Sequence, residues 1–262
     1  MNDAVALVLA AGKGTRMHSD LAKILHPICG RPMLAYVLAS VQEVGFGRVL
    51  VVVGHQADRI QEVFAAAPVE WVLQPEQRGT AHAVHSALPQ LGEFDGMVFI
   101  CCGDTPLLTA KTLRSFLREH VRAGVDLSIL SMVLEHPGSY GRIMRDSRGG
   151  VTGIIEAKDT GAQERDIREV NTGIYCASAD LLRAVIPCIG NSNSQGEYYL
   201  TDVVEGALER GWKVQALPVA DPEEVLGVNT REELAEAAGI LAKRRSQQSK
   251  NGSQPSLEIH SS

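Results

Sequence analysis

A glycine-rich stretch near the start of the chain, Leu-Ala-Ala-Gly-Lys-Gly-Thr-Arg-Met, contains residue types that bind phosphate. Gly12 and Gly14 would let the backbone approach a phosphate chain, and exposed N–H groups could donate to its oxygens. Lys13, Arg16 and Lys23 would add positive charge, and an arginine can bind phosphate through two nitrogens. Taken alone, the stretch is equally compatible with an ordinary glycine turn, because it is neither a Walker A loop nor a complete GxGxxG fingerprint.

A carboxylate follows a later apolar run, in the sequence Cys-Cys-Gly-Asp-Thr-Pro. Gly103 would give a ligand access, and Asp104 offers the hard oxygen ligands that Mg²⁺ takes when one or two protein groups and phosphates hold it. A turn aspartate that caps the bend at Thr105 and Pro106 is the alternative interpretation of these residues alone. Cys102 is interpreted as a small packing residue, since no base lies near it in the sequence.

Both stretches directly follow apolar runs that predict buried parallel strands. Predicted strands cover residues 4–11, 48–54, 70–73 and 96–103, and predicted helices cover residues 33–44, 58–66, 80–88 and 110–123. This alternation predicts a doubly wound α/β sheet with right-handed crossovers. Ligands of such sheets bind beyond the carboxyl ends of the strands, so we expect the glycine-rich stretch and Asp104 at one edge.

The pattern changes after Val125. Shorter predicted strands with hairpin-like connections indicate a mixed, more antiparallel half that extends the sheet and closes over its carboxyl edge. A final helix is predicted over residues 231–245, and the polar composition of residues 246–262 predicts a disordered tail. We therefore expect one domain over residues 1–245, composed of the halves 1–124 and 125–228 and the C-terminal segment 229–245.

Composition excludes several classes of function. The formal charge of the 262-residue chain is −6, so a general basic face for nucleic acid is not expected. Five cysteines, an odd number without a CxxC pair, argue against a disulfide framework and for a reducing compartment. The first apolar run is too short for a membrane span, which needs about 20 residues. We expect a cytoplasmic protein without a membrane partner.

The two stretches together resemble those of the sugar-nucleotide pyrophosphorylases, and the resemblance includes the sequence Lys-Ile-Leu-His at residues 23–26. Further stretches resemble the uridylyltransferase half of the bifunctional bacterial enzyme that makes UDP-N-acetylglucosamine. These stretches are residues 74–83, 140–143, 169–173, 195–202 and 224–229. The resemblance covers about residues 4–240 with the motifs in the same order, and it implies a Rossmann-like nucleotidyltransferase fold with a mainly parallel, mixed sheet.

The resemblance also implies a role for individual residues. The implied nucleotide-binding residues are Leu9, Ala10, Ala11, Gly12, Lys13, Gly14, Gln74, Gly79 and Thr80, the last three for the uracil. The implied sugar-binding residues, most of them in the second half, are Cys102, Gly103, Gly141, Glu156 and Asn171. The implied catalytic cations are Arg16 and Lys23, and the implied Mg²⁺ ligands are Asp104 and Asn229. A carboxylate can accept from sugar hydroxyls, and side-chain amides can pair with donors and acceptors on either substrate.

The implied reaction is Mg²⁺-dependent transfer of a uridylyl group from UTP to N-acetylglucosamine 1-phosphate, as in cell-envelope precursor synthesis, with release of pyrophosphate. The sequence does not distinguish this sugar from N-acetylgalactosamine or glucose 1-phosphate. Two alternatives stay open: another sugar 1-phosphate or a CTP-dependent acceptor on the same fold, and a non-catalytic nucleotide-sugar sensor. A dinucleotide-dependent oxidoreductase is disfavoured, because the fingerprint is incomplete and no acidic residue ends the second strand.

Two positions depart from the family pattern. Ala22 stands where proline is usual, which predicts a looser loop around Lys23, and Cys102 stands where tyrosine or a small polar residue is common. The histidines show no spacing typical of zinc ligands, and we interpret them as packing or hydrogen-bonding residues: His26, His82 and His85. The chain continues only about 30 residues past Asn229, too few for the stacked repeats of an acetyltransferase β-helix. We therefore expect a monomer or weak dimer that lacks acetyl transfer.

Overall fold

The structure is a computed structural model that describes residues 3–251, with side chains for residues 3–247. The strands in this part of the chain are β1 (Ala4–Leu9), β2 (Pro27–Ile28), β3 (Arg31–Pro32), β4 (Arg48–Val53), β5 (Glu70–Leu73), β6 (Met97–Cys102), β7 (Leu127–Val133), β8 (Arg142–Arg145), β9 (Val151–Ile155), β10 (Glu169–Ser178) and β11 (Val214–Pro218). The helices are α1 (Met33–Val44), α2 (Ala57–Val63), α3 (Thr80–Leu91), α4 (Ala110–Ala123), α5 (Ala179–Val185), α6 (Val203–Glu209) and α7 (Arg231–Asn251).

Nine of the described strands form one mixed sheet, with the order β11-β7-β10-β6-β1-β4-β5 and with β8 and β9 attached beside β10. The strands β6, β1, β4 and β5 are parallel to one another. The strand β10 runs antiparallel to both β6 and β7, whereas β11 is parallel to β7. The predicted mixed, mainly parallel α/β fold is confirmed.

Helices cover both faces of this sheet. Alternate side chains of β1 explain the arrangement, because every residue of the strand is buried and neighbours point to opposite faces. Leu7 packs in the core formed with α3, α5 and α6, whereas Val8 packs in the core formed with α1, α2 and α4. The carboxyl edge between these layers is left for the loops after β1, β4 and β6, which is where ligands of such sheets bind.

The second half of the chain adds strands to the same sheet. The strand β10 covers 10 residues, and it changes register between Asn171 and Ile174. The hairpin of β8 and β9 joins β10 through the pair of Val170 and Arg142. This bulge and hairpin bring the backbone of Asn171 beside the first half of the sheet, so the second half stands next to its carboxyl edge.

Several elements differ from the sequence prediction, among them α2, which ends at Val63 and not at residue 66. The helix α3 continues through Pro89 to Leu91, and a 3₁₀ turn at Leu200–Asp202 precedes α6. The small β2–β3 ladder was not predicted. The helix α7 extends to Asn251, past the predicted end at residue 245, and the polar stretch contains no helix-breaking residue there. Residues 252–262 of the predicted tail lie outside the described residues.

Between residues 3 and 251, no helix is both long and apolar enough to cross a membrane.

Candidate active site

Backbone hydrogen bonds hold the ends of three neighbouring strands together at the carboxyl edge. Leu9 pairs with Cys102 in the ladder between β1 and β6, and the N–H group of Gly103 donates to the carbonyl of Leu9 at 2.8 Å. The N–H group of Ala10 donates to the carbonyl of Val52 at 2.8 Å. The glycine-rich stretch and the residues after β6 are therefore adjacent, as the sequence predicted.

A cavity of about 500 Å³ opens at this edge. The predicted residues that line it are Leu9, Ala10, Ala11, Gly12, Lys13, Gly14, Lys23, Gln74, Gly79, Thr80, Cys102 and Asp104. Five further lining residues were not predicted: Thr15, Ile24, Gln77, Ala83 and Glu197. Every predicted nucleotide-binding residue thus borders one cavity, although those residues come from two separate parts of the chain.

The glycine-rich stretch presents free backbone donors. Within the described part of the chain, the N–H groups of residues 12–16 form no hydrogen bond. Gly14 has a φ of 65°, and a Cβ atom there would lie 2.4 Å from the Cβ of Lys23. Met17 is fully buried and fixes the end of the stretch. Unpaired N–H groups on such a turn can bind the oxygens of a phosphate chain.

The predicted cations and oxygen ligands meet beside the cavity. The ammonium group of Lys23 forms an ion pair with Asp104 and donates to Oδ1 of Asn229 at 3.0 Å. Nη2 of Arg16 donates to the same oxygen at 2.9 Å. The backbone also joins the two oxygen ligands, because the N–H group of Val228 donates to the carbonyl of Asp104 at 2.8 Å. The structure thus brings together all four residues.

This cluster fits a hard cation. The side-chain oxygens of Asp104 and Asn229 both contact one ammonium group, so they converge on a point that already accommodates positive charge. Among the described residues, no group of three or more histidine, cysteine or acidic side chains could hold a metal. One carboxylate and one amide oxygen suit Mg²⁺, which keeps several waters and completes its shell with substrate phosphates.

The loop that carries Lys23 is anchored despite the absence of the usual proline. Ala22 is buried, and its N–H group donates to Oε1 of Gln56 at 3.3 Å. The Nε2 group of the same glutamine donates to the carbonyl of Asp20. A proline at position 22 could not form the first of these bonds. The expected looseness at this position is offset by a partner, Gln56, that the sequence analysis missed.

The predicted base-recognition residues lie between the end of β5 and the start of α3. Gly79 has a φ of 117°, and a Cβ atom there would lie 2.4 Å from the carbonyl oxygen of Tyr198. The hydroxyl of Thr80 accepts from the N–H group of Leu200 at 2.9 Å. Gln74 is only 2% exposed and still borders the cavity. The segment around Tyr198 therefore forms one wall of this pocket and requires glycine at position 79.

Three predicted sugar-binding residues form a second group. The N–H group of Asn171 donates to the carbonyl of Gly141 at 2.9 Å, and a Cβ atom on Gly141 would lie 3.6 Å from the carboxyl carbon of Glu156. The hydroxyl of Thr201 donates to Glu156 at 3.1 Å. The thiol of Cys102 lies 4.0 Å from the carbonyl oxygen of Gly173, two residues beyond Asn171. The group thus adjoins the cavity without lining it.

Burial changes the chemistry of two of these side chains. Burial raises the pKa of Glu156, an effect that its hydrogen bond from Thr201 opposes and the charges of nearby acidic residues reinforce. Burial, followed by the charge of Asp104, raises the pKa of Cys102 to about 12. Cys102 is therefore a neutral thiol near neutral pH, as expected of a packing residue and not of a nucleophile.

All five unpredicted residues lie within stretches that carried the family resemblance, and the polar side chains of Gln77 and Glu197 are the ones that it could have identified. Gln77 donates from Nε2 to the carbonyl of Gln74 at 3.2 Å, which orders the wall of the cavity. Thr15 and Ile24 flank the two predicted catalytic cations in sequence, but a hydroxyl and an apolar side chain give no chemical signal of their own. Only the structure identifies their contact with the cavity.

The parallel strands of the sheet end at a turn with free N–H groups, beside two cations and a pair of oxygens of the kind that ligate Mg²⁺. This combination of fold and site defines a nucleotidyltransferase. Comparison of the sequence with known families agrees with this class. The profile of the MobA-like NTP transferase domain matches residues 6–166. The chain belongs to this family.

Curated proteins give a closer likeness. The chain is 51% identical over 246 residues to the "Bifunctional protein GlmU" of Geobacter metallireducens, covering 94% of this chain and 52% of that protein. It is 49% identical to the protein of the same name from Trichlorobacter lovleyi, over 91% of this chain and 52% of that one. It is 44% identical to the protein of the same name from Geobacillus thermodenitrificans, over 94% of this chain and 54% of that one. The chain spans about half the length of these relatives, which confirms the resemblance to one half of a bifunctional enzyme.

Proposed function

We propose that the protein transfers a uridylyl group from UTP to N-acetylglucosamine 1-phosphate and releases pyrophosphate, with Mg²⁺ as its metal. The observation that carries the proposal is the meeting of Lys23, Asp104, Asn229 and Arg16 beside the cavity bordered by the glycine-rich stretch. The similarity to proteins named as bifunctional GlmU supports the particular substrates, because the sequence motifs resemble the uridylyltransferase half of such an enzyme.

The chemistry requires alignment more than proton transfer. An oxygen of the sugar phosphate attacks the α-phosphorus of UTP, and the bond to the bridging oxygen of the β-phosphate breaks. A phosphate dianion is already nucleophilic, so no general base is needed. The N–H groups of residues 12–16 would hold the triphosphate, and Lys13, Arg16 and Lys23 would stabilise the negative charge on the leaving pyrophosphate. Mg²⁺ held by Asp104 and Asn229 would neutralise further phosphate charge.

The sugar would bind at the second group of residues. The carboxyl group of Glu156 can accept from a sugar hydroxyl, and the side-chain amide of Asn171 can both donate and accept. The amide oxygen of Asn171 already accepts from the N–H group of Gly173 at 3.0 Å, which holds this side chain beside the strand. Gly141 and the backbone around Gly103 carry no side chain, so they would leave room for the sugar ring. We assign these four residues to the acceptor site.

A grid of assays tests the proposal. Pyrophosphate release is measured with each of four nucleoside triphosphates against N-acetylglucosamine, N-acetylgalactosamine and glucose 1-phosphates. We expect release with UTP and N-acetylglucosamine 1-phosphate to exceed that of every other pair. A higher rate with CTP, or with another sugar phosphate, would identify a different transferase on the same fold. No release with any pair, together with binding of a nucleotide sugar, would identify the sensor.

We also propose the partners and the oligomeric state of the protein. The substrates are the expected partners, and we expect neither nucleic acid nor membrane among them. A monomer or weak dimer and a cytoplasmic location stay predictions. Light scattering over a range of concentrations tests the oligomeric state, and a stable trimer would contradict it.

A further inference from the structure

The side-chain amide of Gln74 is held by two hydrogen bonds inside the protein. Its Nε2 group donates to the carbonyl oxygen of Gly79 at 3.1 Å and lies 2.9 Å from Nδ1 of His82. A carbonyl oxygen can only accept, so the amide nitrogen, and not the amide oxygen, must face Gly79. The second hydrogen of Nε2 then points at His82, whose Nδ1 must accept it. Both donors of the Gln74 amide are therefore used within the protein.

The remaining polar atom of this amide is left for a ligand. Within residues 3–247, whose side chains are described, Oε1 of Gln74 has no hydrogen-bond partner. The N–H group of Gly79 is likewise unpaired in this part of the chain. Since Gln74 and Gly79 both line the cavity, the wall there offers an acceptor and a donor to a bound base.

This pair of groups suits uracil and not cytosine. Uracil carries an N–H donor at N3 between two carbonyl acceptors, so it can donate to Oε1 of Gln74 and accept from Gly79. Cytosine carries an acceptor at N3 and an amino donor beside it. Against the same wall, N3 of cytosine would face Oε1 of Gln74, which places two acceptors together. The amino group of cytosine would face the N–H group of Gly79, which places two donors together. A site whose buried polar groups are left unpaired discriminates strongly against such a ligand.

We propose that His82 is a positioning residue for base selection: its unprotonated Nδ1 fixes the amide of Gln74 with the oxygen toward the base, which selects uracil over cytosine. The proposal rests on the proposed function, in which a nucleoside triphosphate occupies the cavity. His82 itself does not line that cavity and acts through Gln74. It belongs instead to a neighbouring pocket with His85 and Tyr198, from which protons can reach it.

The surroundings of His82 favour the neutral ring that this role requires. Burial lowers the pKa of His82, and the charges of Arg78 and His85 lower it further. A backbone hydrogen bond with Glu76 and the charge of its carboxylate act in the opposite direction. The ring also faces Tyr198, at 6.3 Å between ring centres, and it shares its pocket with the apolar side chains of Ile186, Pro187 and Ile189, which follow α5.

Protonation of His82 would reverse the arrangement. A hydrogen on Nδ1 could pair with Gln74 only if the amide turned its oxygen toward the ring, which would also break the hydrogen bond from Nε2 to the carbonyl of Gly79. The Nε2 group would then lie toward the base, where it opposes the N3 hydrogen of uracil and suits the N3 acceptor of cytosine. We therefore expect the KM for UTP to rise as pH falls through the lowered pKa of His82, with a smaller change in the KM for CTP.

Three variants test this positioning role. His82→Asn keeps an acceptor near the position of Nδ1 but does not titrate, whereas His82→Leu removes the acceptor. His85→Leu is the control, because His85 is exposed and, within the described residues, forms no hydrogen bond with Gln74. The readout is the ratio of kcat/KM for UTP to kcat/KM for CTP. We expect His82→Leu to lower this ratio about tenfold or more, the effect of one lost buried hydrogen bond, and the other two to preserve it within about threefold.

The pH profile supplies a second, independent readout. The KM for UTP of the parent protein should rise at acid pH, and that of His82→Asn should stay level over the same range. An unchanged UTP-to-CTP ratio in a folded His82→Leu protein would overturn the proposal, as would a parent profile that matches that of His82→Asn. If His82→Leu does not fold, the pH profiles of His82→Asn and of the parent protein still test the proposal. Failure of the parent to use UTP at any pH would contradict the proposed function instead.

Discussion

Lys23 and Asp104 form an ion pair that joins the segment after the glycine-rich stretch to the end of β6, 81 residues away. Their side chains are only 13% and 18% exposed, so neither charge is fully solvated. Asn229 accepts from the same ammonium group. Removal of one partner would leave the other charge unpaired in a partly buried position, and it would also remove a group that faces the phosphates.

The first prediction concerns this ion pair. Asp104→Asn keeps the shape of the side chain but removes the charge that pairs with Lys23 and that would hold the metal. We expect turnover to fall by at least about 100-fold, the scale of losing one strong electrostatic element at a reacting centre. Pyrophosphate release at saturating substrates measures it, and a melting curve verifies that the variant is folded.

Asp95→Asn is the matched control for this variant. Asp95 is exposed and precedes β6 at the opposite edge of the sheet, so its charge lies far from the cavity. Turnover of the control should equal that of the parent. Near-normal turnover of the Asp104→Asn protein at ordinary Mg²⁺ concentrations would remove Asp104 from the metal site.

The part of the site that follows strand ends could be predicted from the sequence, for a physical reason. Parallel strands have their carboxyl ends at one edge, so the loop after β1 and the residue Asp104 after β6 must be neighbours. The apolar runs that define those strands are long and unambiguous. Asn229 has no such signal, since its side chain reaches Lys23 across 206 residues through a turn before α7. Only the family resemblance suggested it.

The sequence analysis could not predict which side chains form hydrogen bonds with one another. The bond between Ala22 and Gln56 depends on a left-handed residue, φ 55° at Gln56, which no local pattern indicates. The orientation of the Gln74 amide depends on a carbonyl of Gly79 and a ring of His82 that face it from one helix start. The histidine was interpreted as a packing or hydrogen-bonding residue. The structure shows that His82 lies beside the amide of Gln74, and this contact connects the histidine with the predicted base-recognition site.

The second prediction concerns Gly79. Alanine there would place a Cβ atom 2.4 Å from a backbone oxygen of Tyr198, at a φ of 117° that a side chain disfavours. We expect Gly79→Ala to destabilise the fold by more than about 1 kcal/mol and to raise the KM for UTP, because the base pocket must move. Thermal unfolding and steady-state kinetics measure the two effects.

Gly239→Ala provides the comparison for this glycine. Gly239 is an exposed residue of α7 with no atom within 4 Å of a would-be Cβ. Alanine should stabilise that helix by up to about 1 kcal/mol and leave the kinetics unchanged. Equal melting temperatures for the Gly79→Ala protein and the parent would show that the Tyr198 segment yields more easily than its backbone contacts indicate.

The third prediction uses the raised pKa of Glu156, which burial causes. A carboxyl group with a higher pKa in the folded protein binds its proton more tightly there than in the unfolded chain. Between the unfolded and the folded pKa, the folded protein therefore holds more protons, and stability decreases as pH rises. Ionised Glu156 destabilises the fold at neutral pH, and this cost disappears as pH falls to the unfolded value.

Glu156→Gln should therefore raise Tm at neutral pH, and the gain should vanish as pH falls to the pKa of an unfolded glutamate, at about pH 4. The same variant should raise the KM for the sugar 1-phosphate. Asp202→Asn is the comparison, because burial and the charges of Glu205 and Asp159 raise the pKa of Asp202 to about 6. It should also raise Tm but leave the sugar KM unchanged. A sugar KM unaffected by Glu156→Gln would place the acceptor elsewhere.

The last prediction separates the five cysteines by their reactivity. Cys29 and Cys188 are exposed, and Cys101 and Cys176 are buried. Cys102 is the informative case, because it lines the cavity and so can be reached, yet its pKa is raised to about 12. Only the thiolate reacts with an alkylating agent, and at neutral pH almost none is present at such a pKa.

We expect brief treatment of the folded protein with iodoacetamide at neutral pH to label Cys29 and Cys188 and to leave pyrophosphate release unchanged. Peptide mass mapping identifies the labelled positions, and the chain unfolded in denaturant, in which all five cysteines should react, is the control. Labelling of Cys102 at the rate of Cys188 would mean that its thiolate is readily formed beside Lys23. That result would return Cys102 to consideration as a reactive group of the site.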